Sequence, residues 1–144
     1  MLARAERVCA SRGLRLTPVR RRVLEALAAS PQPLGAYDLS HSLSQERRLS
    51  AVSVYRSLEF LEEIGLIHRL STRPAYVACS HDHGRDEATV FLVCRTCGSV
   101  DEVASARLDA DLAAVSAQAG FTPERRALEL EGRCAACIEV SSAA

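Results

Sequence analysis

Two Cys-x-x-Cys pairs, "CRTC" (Cys94, Cys97) and "CAAC" (Cys134, Cys137), have 36 residues between them in a chain of 144. Two such knuckles brought together by a sheet make a tetrahedral four-thiolate set, the arrangement that structural zinc prefers. The competing reading is a pair of thiol–disulfide switches, but redox motifs of that kind usually occur once, at a helix N-terminus. Structural zinc at Cys94, Cys97, Cys134 and Cys137 is the expectation. A site of this kind has no open coordination position, so it contributes stability and not catalysis.

A second group of donors precedes the first pair. The stretch "YVACSHDHGRDE", residues 76–87, places Cys79, His81, His83 and several carboxylates within twelve positions. One reading is a solvated polar loop whose histidines bind nothing. The other is a second metal site of mixed sulfur, nitrogen and oxygen donors, which suits zinc. Cys9 has no partner nearby in sequence and reads as a small buried residue of the first helix.

The bulk of the chain limits what these donors can serve. No run of about 18 apolar residues is present, so no membrane-spanning helix is expected. The start, "MLARAERVCASRG", is charged throughout and lacks the apolar core of a signal peptide. A cytoplasmic location follows as an expectation, and there cysteine pairs indicate metal or redox chemistry more often than disulfides. The net charge of zero conceals an asymmetry: residues 1–79 hold 12 Arg against 7 acids, and residues 80–144 hold 6 Arg against 11 acids. Any nucleic-acid contact belongs to the basic front half.

The elements that must position these residues follow from periodicity. A short helix is expected around residues 3–12. Thr17 caps the next, with Pro18 in its first turn and Val19, Val23 and Leu27 at helical spacing. "PQPLGAYDLSHSLSQE" reads as a Pro-rich turn and a short helix with Leu39 and Leu43 inward. Ser50 caps a third, whose stripe is Val54, Leu58 and Leu61 and which Gly65 ends. Two short strands joined by "STRP" complete a winged helix-turn-helix. The recognition helix would then present Ser53, Tyr55, Arg56 and Ser57 near its N-terminal end, where such helices meet base edges. Arg56 could fork onto a guanine, and Tyr55 could touch a thymine methyl or a phosphate. The plainer alternative leaves Arg56 solvated and Tyr55 over the core. From residue 88 the order becomes β-β-α-β, with Leu108, Leu112, Val115 and Ala119 on the inner face of the helix. So small a sheet needs a cover, and a second copy of the chain would supply it.

The expected fold is α+β. Residues 1–79 form a winged-helix DNA-binding domain, 80–87 a hinge loop, and 88–144 a dimerisation and metal-binding domain. Together the segments "RLTPVRRRVLEAL", "LGAYDLS", "SVYRSLEFLEEIGLIHRL", "YVAC", "FLVCRTCG" and "GRCAAC" resemble the ferric uptake regulator family. The resemblance covers nearly the whole chain and is nearest to the zinc uptake regulator branch.

That resemblance implies a cytoplasmic homodimer that binds double-stranded operator DNA and represses zinc-uptake genes when zinc is replete. It implies no enzymatic activity, membrane association or small organic substrate. Tyr55 and Arg56 match the family's DNA-contacting pair, and Arg20 matches an arginine that would hold a phosphate without reading sequence. The family's regulatory site maps onto His68, Cys79 and Glu102. Its fourth ligand, a histidine in the zinc branch, falls on Glu87, a departure that puts the donor in question. His81 and His83 lie on the same loop, and imidazole is the better match for zinc. A His-x-His pair also occurs in iron-sensing members, which leaves iron or manganese as an alternative. The Cys79 thiolate argues against it, as does the lack of a histidine in "FTPERRALEL". Two other classes remain: a constitutive DNA binder with structural zinc only, and a small zinc hydrolase or deaminase built on "HDH" and Glu102.

Overall fold

The computed structural model describes residues 1–47, 49–79, 88–123 and 127–142. The chain divides into two units, Met1–Ser80 and His81–Ala144. The expected hinge 80–87 lies outside the described residues.

In the first unit, α1 (Leu2–Ser11), α2 (Pro18–Ala29), α3 (Ala36–Arg47) and α4 (Ala51–Glu63) surround one apolar core. Thr17 and Ser50 are the N-caps of α2 and α4, their hydroxyls accepting the backbone N–H of Arg20 and Ser53, which satisfies donors that a helix start leaves orphaned. Val54, Leu58 and Leu61 of α4 are buried against Val23, Leu24 and Leu27 of α2 and Leu39 and Leu43 of α3. Gly65, at φ +77°, stops α4 in a left-handed turn that a Cβ would disfavour. Cys9 is buried in this core.

The wing is a three-stranded sheet, not a two-stranded hairpin. In it β1 (Leu34–Gly35) and β2 (Ile67–Arg69) flank β3 (Ala75–Ala78), and both pairings are antiparallel. Periodicity could not reveal β1, because two residues show no alternation.

The second unit has the sheet order β5-β4-β6, from β4 (Ala88–Cys94), β5 (Val100–Ser105) and β6 (Ala127–Gly132). Helix α5 (Ala106–Gln118), capped by Ser105, carries the chain from β5 to β6. β4 pairs antiparallel with β5 and parallel with β6. A further helix, α6 (Ala135–Ser142), begins within the second cysteine knuckle and carries Cys137, extending the expected β-β-α-β order. Register puts Leu92, Val103 and Leu130 on one face of this sheet, where they stay 40%, 44% and 57% exposed in the single chain. Val115 and Ala119, expected inward on α5, are exposed as well. Among the described residues this is an apolar surface without a cover.

Candidate metal centre and nucleic-acid interface

Parallel pairing of β4 with β6 explains how cysteines so far apart in sequence meet. Cys94 ends β4 in register with Gly132, the last residue of β6. Both knuckles therefore leave the sheet at the same end, beyond the carboxyl ends of β4 and β6. The Arg95 N–H donates to Gly132 O at 2.8 Å and ties the first knuckle to the end of β6. Within that knuckle, Cys94 N–H donates to Ser99 O at 2.9 Å and Gly98 N–H to Cys94 O at 3.0 Å, with Gly98 at φ +79° closing the turn. The second knuckle runs straight into α6, where Cys137 N–H donates to Cys134 O at 3.0 Å.

The four donor sulfurs of Cys94, Cys97, Cys134 and Cys137 lie within 4.8 Å of one another. A tetrahedron with Zn–S bonds of about 2.3 Å has sulfurs roughly 3.8 Å apart, and Cys97 Sγ and Cys134 Sγ are 3.7 Å apart. The residues fit a tetrahedral zinc ion.

The electrostatics of the cluster agree with an anionic donor set. Backbone N–H groups of Cys97 and Cys134 aimed at Cys94 Sγ lower its thiol to about 5, the Cys134 amide lying 3.3 Å from the sulfur. Hydrogen bonds from the Ser99 side chain and backbone lower Cys97. Cys137 is pushed up to about 12, chiefly because its thiol donates to the Cys134 sulfur and because of burial. Crowded sulfurs cannot all ionise without a compensating cation.

The residues assigned to a second site are distributed between the units. His68 is half-buried on β2, opposite Val77. Cys79 is buried, and its N–H donates to Leu66 O at 3.0 Å, continuing the β2–β3 register by one pair. Side chains alternate along strands, so His68 and Cys79 share one face of the wing as diagonal neighbours. Cys79 O accepts a 2.8 Å hydrogen bond from Arg4 Nη1. In the second unit Glu102 is half-buried on β5, opposite Phe91. His81, His83 and Glu87 lie outside the described residues.

On α4, Tyr55 and Arg56 are exposed. Ser53 is half-buried, with its hydroxyl 2.8 Å from that of Ser50 at the cap. Ser57 departs from expectation: it is buried, and its hydroxyl donates to Ser53 O at 2.7 Å. Helical geometry accounts for this, since position 57 lies one turn after Val54, on the core side. Arg20 is half-buried between α2 and α4. Its guanidinium sits 3.3 Å from the centre of the Phe60 ring, and Nη1 donates to Arg15 O at 2.7 Å.

Sequence reasoning missed two features. Tyr37 and His41 stack on the outer face of α3, with ring centroids 6.3 Å apart and planes 10° from parallel; their i, i+4 spacing was the available signal. The Arg4–Cys79 bond joins residues 75 apart and has no local signature.

Comparison with known proteins gives these sites a context. A model of the ferric uptake regulator family matches residues 11–131. The zinc uptake regulation protein of Escherichia coli K12 is 34% identical over 143 residues, covering 99% of this chain and 84% of its own length. Among solved structures, a zinc uptake regulator complexed with zinc and DNA superposes with a TM-score of 0.88 at 34% identity, over 98% of this chain and 95% of the other. Holo XcZur gives 0.84 at 36% identity, over 95% and 96%.

Proposed function

The chain belongs to the ferric uptake regulator family, and from that premise we propose that it is a zinc-responsive, DNA-binding transcriptional repressor of zinc uptake and homeostasis genes. The observation that carries this reading is its likeness, over almost the whole chain, to a zinc uptake regulator complexed with zinc and DNA. The four-thiol cluster supports zinc binding independently. Iron or manganese sensing is not favoured, because the high-identity relatives are zinc regulators. Members of this family act as transcription regulators, which leaves the hydrolase alternative without support. No helix among the described residues is long and apolar enough to cross a membrane.

In this reading each protomer holds two zinc ions. Cys94, Cys97, Cys134 and Cys137 hold the structural one. His68 and Cys79 from the winged unit, Glu102 from the second, and one donor among His81, His83 and Glu87 hold the regulatory one. Bound there, zinc supplies a crosslink between the DNA-reading unit and the pairing unit. Without it the winged units of a dimer sample many orientations, few of which match two half-sites. A shift from 1:99 to 99:1 between such states requires about 5.5 kcal/mol of differential zinc affinity. By linkage, operator DNA raises zinc affinity by the factor by which zinc raises operator affinity.

The DNA contacts divide by chemistry. Tyr55 and Arg56, exposed on α4, face bases. Ser53 lies beside them with its hydroxyl engaged at the cap. Arg20 approaches a phosphate and positions the domain. A second copy of the chain covers Leu92, Val103 and Leu130 and completes the homodimer.

Zinc content and operator binding, measured together before and after mild chelation, test the reading. Two zinc ions per chain should fall to one as binding to a genomic fragment selected by the zinc-loaded protein is lost. One zinc per chain with unchanged binding would instead identify a constitutive DNA binder.

A further inference from the structure

Arg4 sits on the first turn of α1, yet its guanidinium bonds to backbone 61 and 75 positions further along the chain. Nη1 donates to Cys79 O at 2.8 Å in a partly buried setting, and Nη2 donates to Gly65 O at 3.3 Å at the surface. Gly65 is the left-handed residue that ends α4. One side chain therefore joins α1, the end of the helix that carries Tyr55 and Arg56, and the backbone of Cys79. The Cys79 N–H is bonded in turn to Leu66 O. Both polar groups of that peptide segment are fixed, the N–H by the wing and the carbonyl by Arg4.

We propose that Arg4 is a positioning residue for the regulatory metal. It holds the backbone of Cys79 so that the thiolate stands ready beside His68, and it links that ligand to the C-terminal end of the recognition helix. The inference rests on the reading of Cys79 as a regulatory ligand. A charge-assisted hydrogen bond is stronger than a neutral one, and the Arg4 guanidinium makes one to the Cys79 carbonyl. With the clamp removed, zinc must order Cys79 as it binds. Partners that orient a metal ligand typically change affinity by roughly 10- to 100-fold when lost.

The test uses the full-length dimer and two substitutions, Arg4→Met, which keeps the stem and removes the donors, and Arg4→Lys, which keeps one donor. Zinc affinity is measured by competition with a chromophoric chelator, alongside zinc retained at the four-cysteine cluster and the thermal midpoint of the chelated protein. Arg4→Met should weaken the second zinc by roughly 10- to 100-fold while the structural zinc and the midpoint stay at wild-type values. Arg4→Lys should fall between. Wild-type affinity in Arg4→Met, or in Arg4→Lys together with a misfolded Arg4→Met, overturns the proposal, as does a loss that follows the thermal midpoint. Cys79→Ala separates the two ideas. If that variant keeps the second zinc, the assignment of Cys79 fails. If it loses the second zinc while Arg4→Met does not, only the role of Arg4 fails.

Discussion

Cys97 Sγ and Cys134 Sγ stand 3.7 Å apart across 37 positions of sequence. That contact closes the second unit: it joins the turn after β4 to the start of α6, around a sheet with one open apolar face. A unit this small buries too little surface to be secure on its own core, so zinc at the four sulfurs is expected to contribute folding free energy directly.

Replacing Cys94 tests this dependence. Cys94→Ser should remove the structural zinc and unfold or dissociate the dimer, seen as lost zinc, a monomeric or aggregated elution profile and a lower thermal midpoint. A stable, zinc-responsive Cys94→Ser dimer would refute the structural role.

Proton release on zinc binding follows from the cluster's asymmetry. Cys94, lowered to about 5, is already a thiolate at pH 7. Cys137, raised to about 12, still carries its proton there in the metal-free cluster and must give it up to become a ligand. Reconstitution at pH 7 should therefore release protons, so the calorimetric enthalpy should vary with the ionisation enthalpy of the buffer. The same competition makes the zinc easier to remove as pH falls. An enthalpy independent of buffer would contradict it.

Arg56 and Arg20 should differ in how they fail. Arg56→Ala should relax sequence preference, with a loss of about 1–3 kcal/mol confined to the preferred base. Arg20→Ala should weaken binding to all sequences and reduce the salt slope by about one. Because its guanidinium also stacks on Phe60, Arg20→Ala should in addition destabilise the free protein by about 0.5–1 kcal/mol. Fluorescence anisotropy across a salt series and thermal melts of the free variants separate these effects.

Gly65 offers a test of how α4 ends without a steric clash. A Cβ at this position meets nothing within 4 Å, so the cost of Gly65→Ala is backbone strain alone, roughly 1–2 kcal/mol. Ser50→Ala removes the cap at the other end and should cost about 1 kcal/mol. Denaturant midpoints measure both, and a neutral Gly65→Ala would mean that the turn has relaxed from its left-handed form.

The readable parts of this chain were those set by local chemistry. Thr17, Ser50 and Gly65 announced helix ends because caps and left-handed turns demand those residue types. The spacing of Cys94, Cys97, Cys134 and Cys137 announced a four-sulfur cluster because knuckle geometry is short-range. Strand β1 was too short to alternate, and Ser57 was assigned to the exposed face because a polar residue interrupts the buried stripe of α4 at that position. Val115 and Ala119 were read as inward from periodicity, which reports an apolar face but not what covers it. The Arg4–Cys79 bond is a tertiary contact that no local pattern encodes.

Zinc held by His68 and its partner ligands is expected to gate operator binding. Operator affinity of His68→Ala, measured with and without zinc on a dimer that retains its structural metal, tests it most directly. The expected affinity equals that of the chelated wild type at every zinc concentration. A His68→Ala dimer that tightens on the operator with zinc as the wild type does would contradict it.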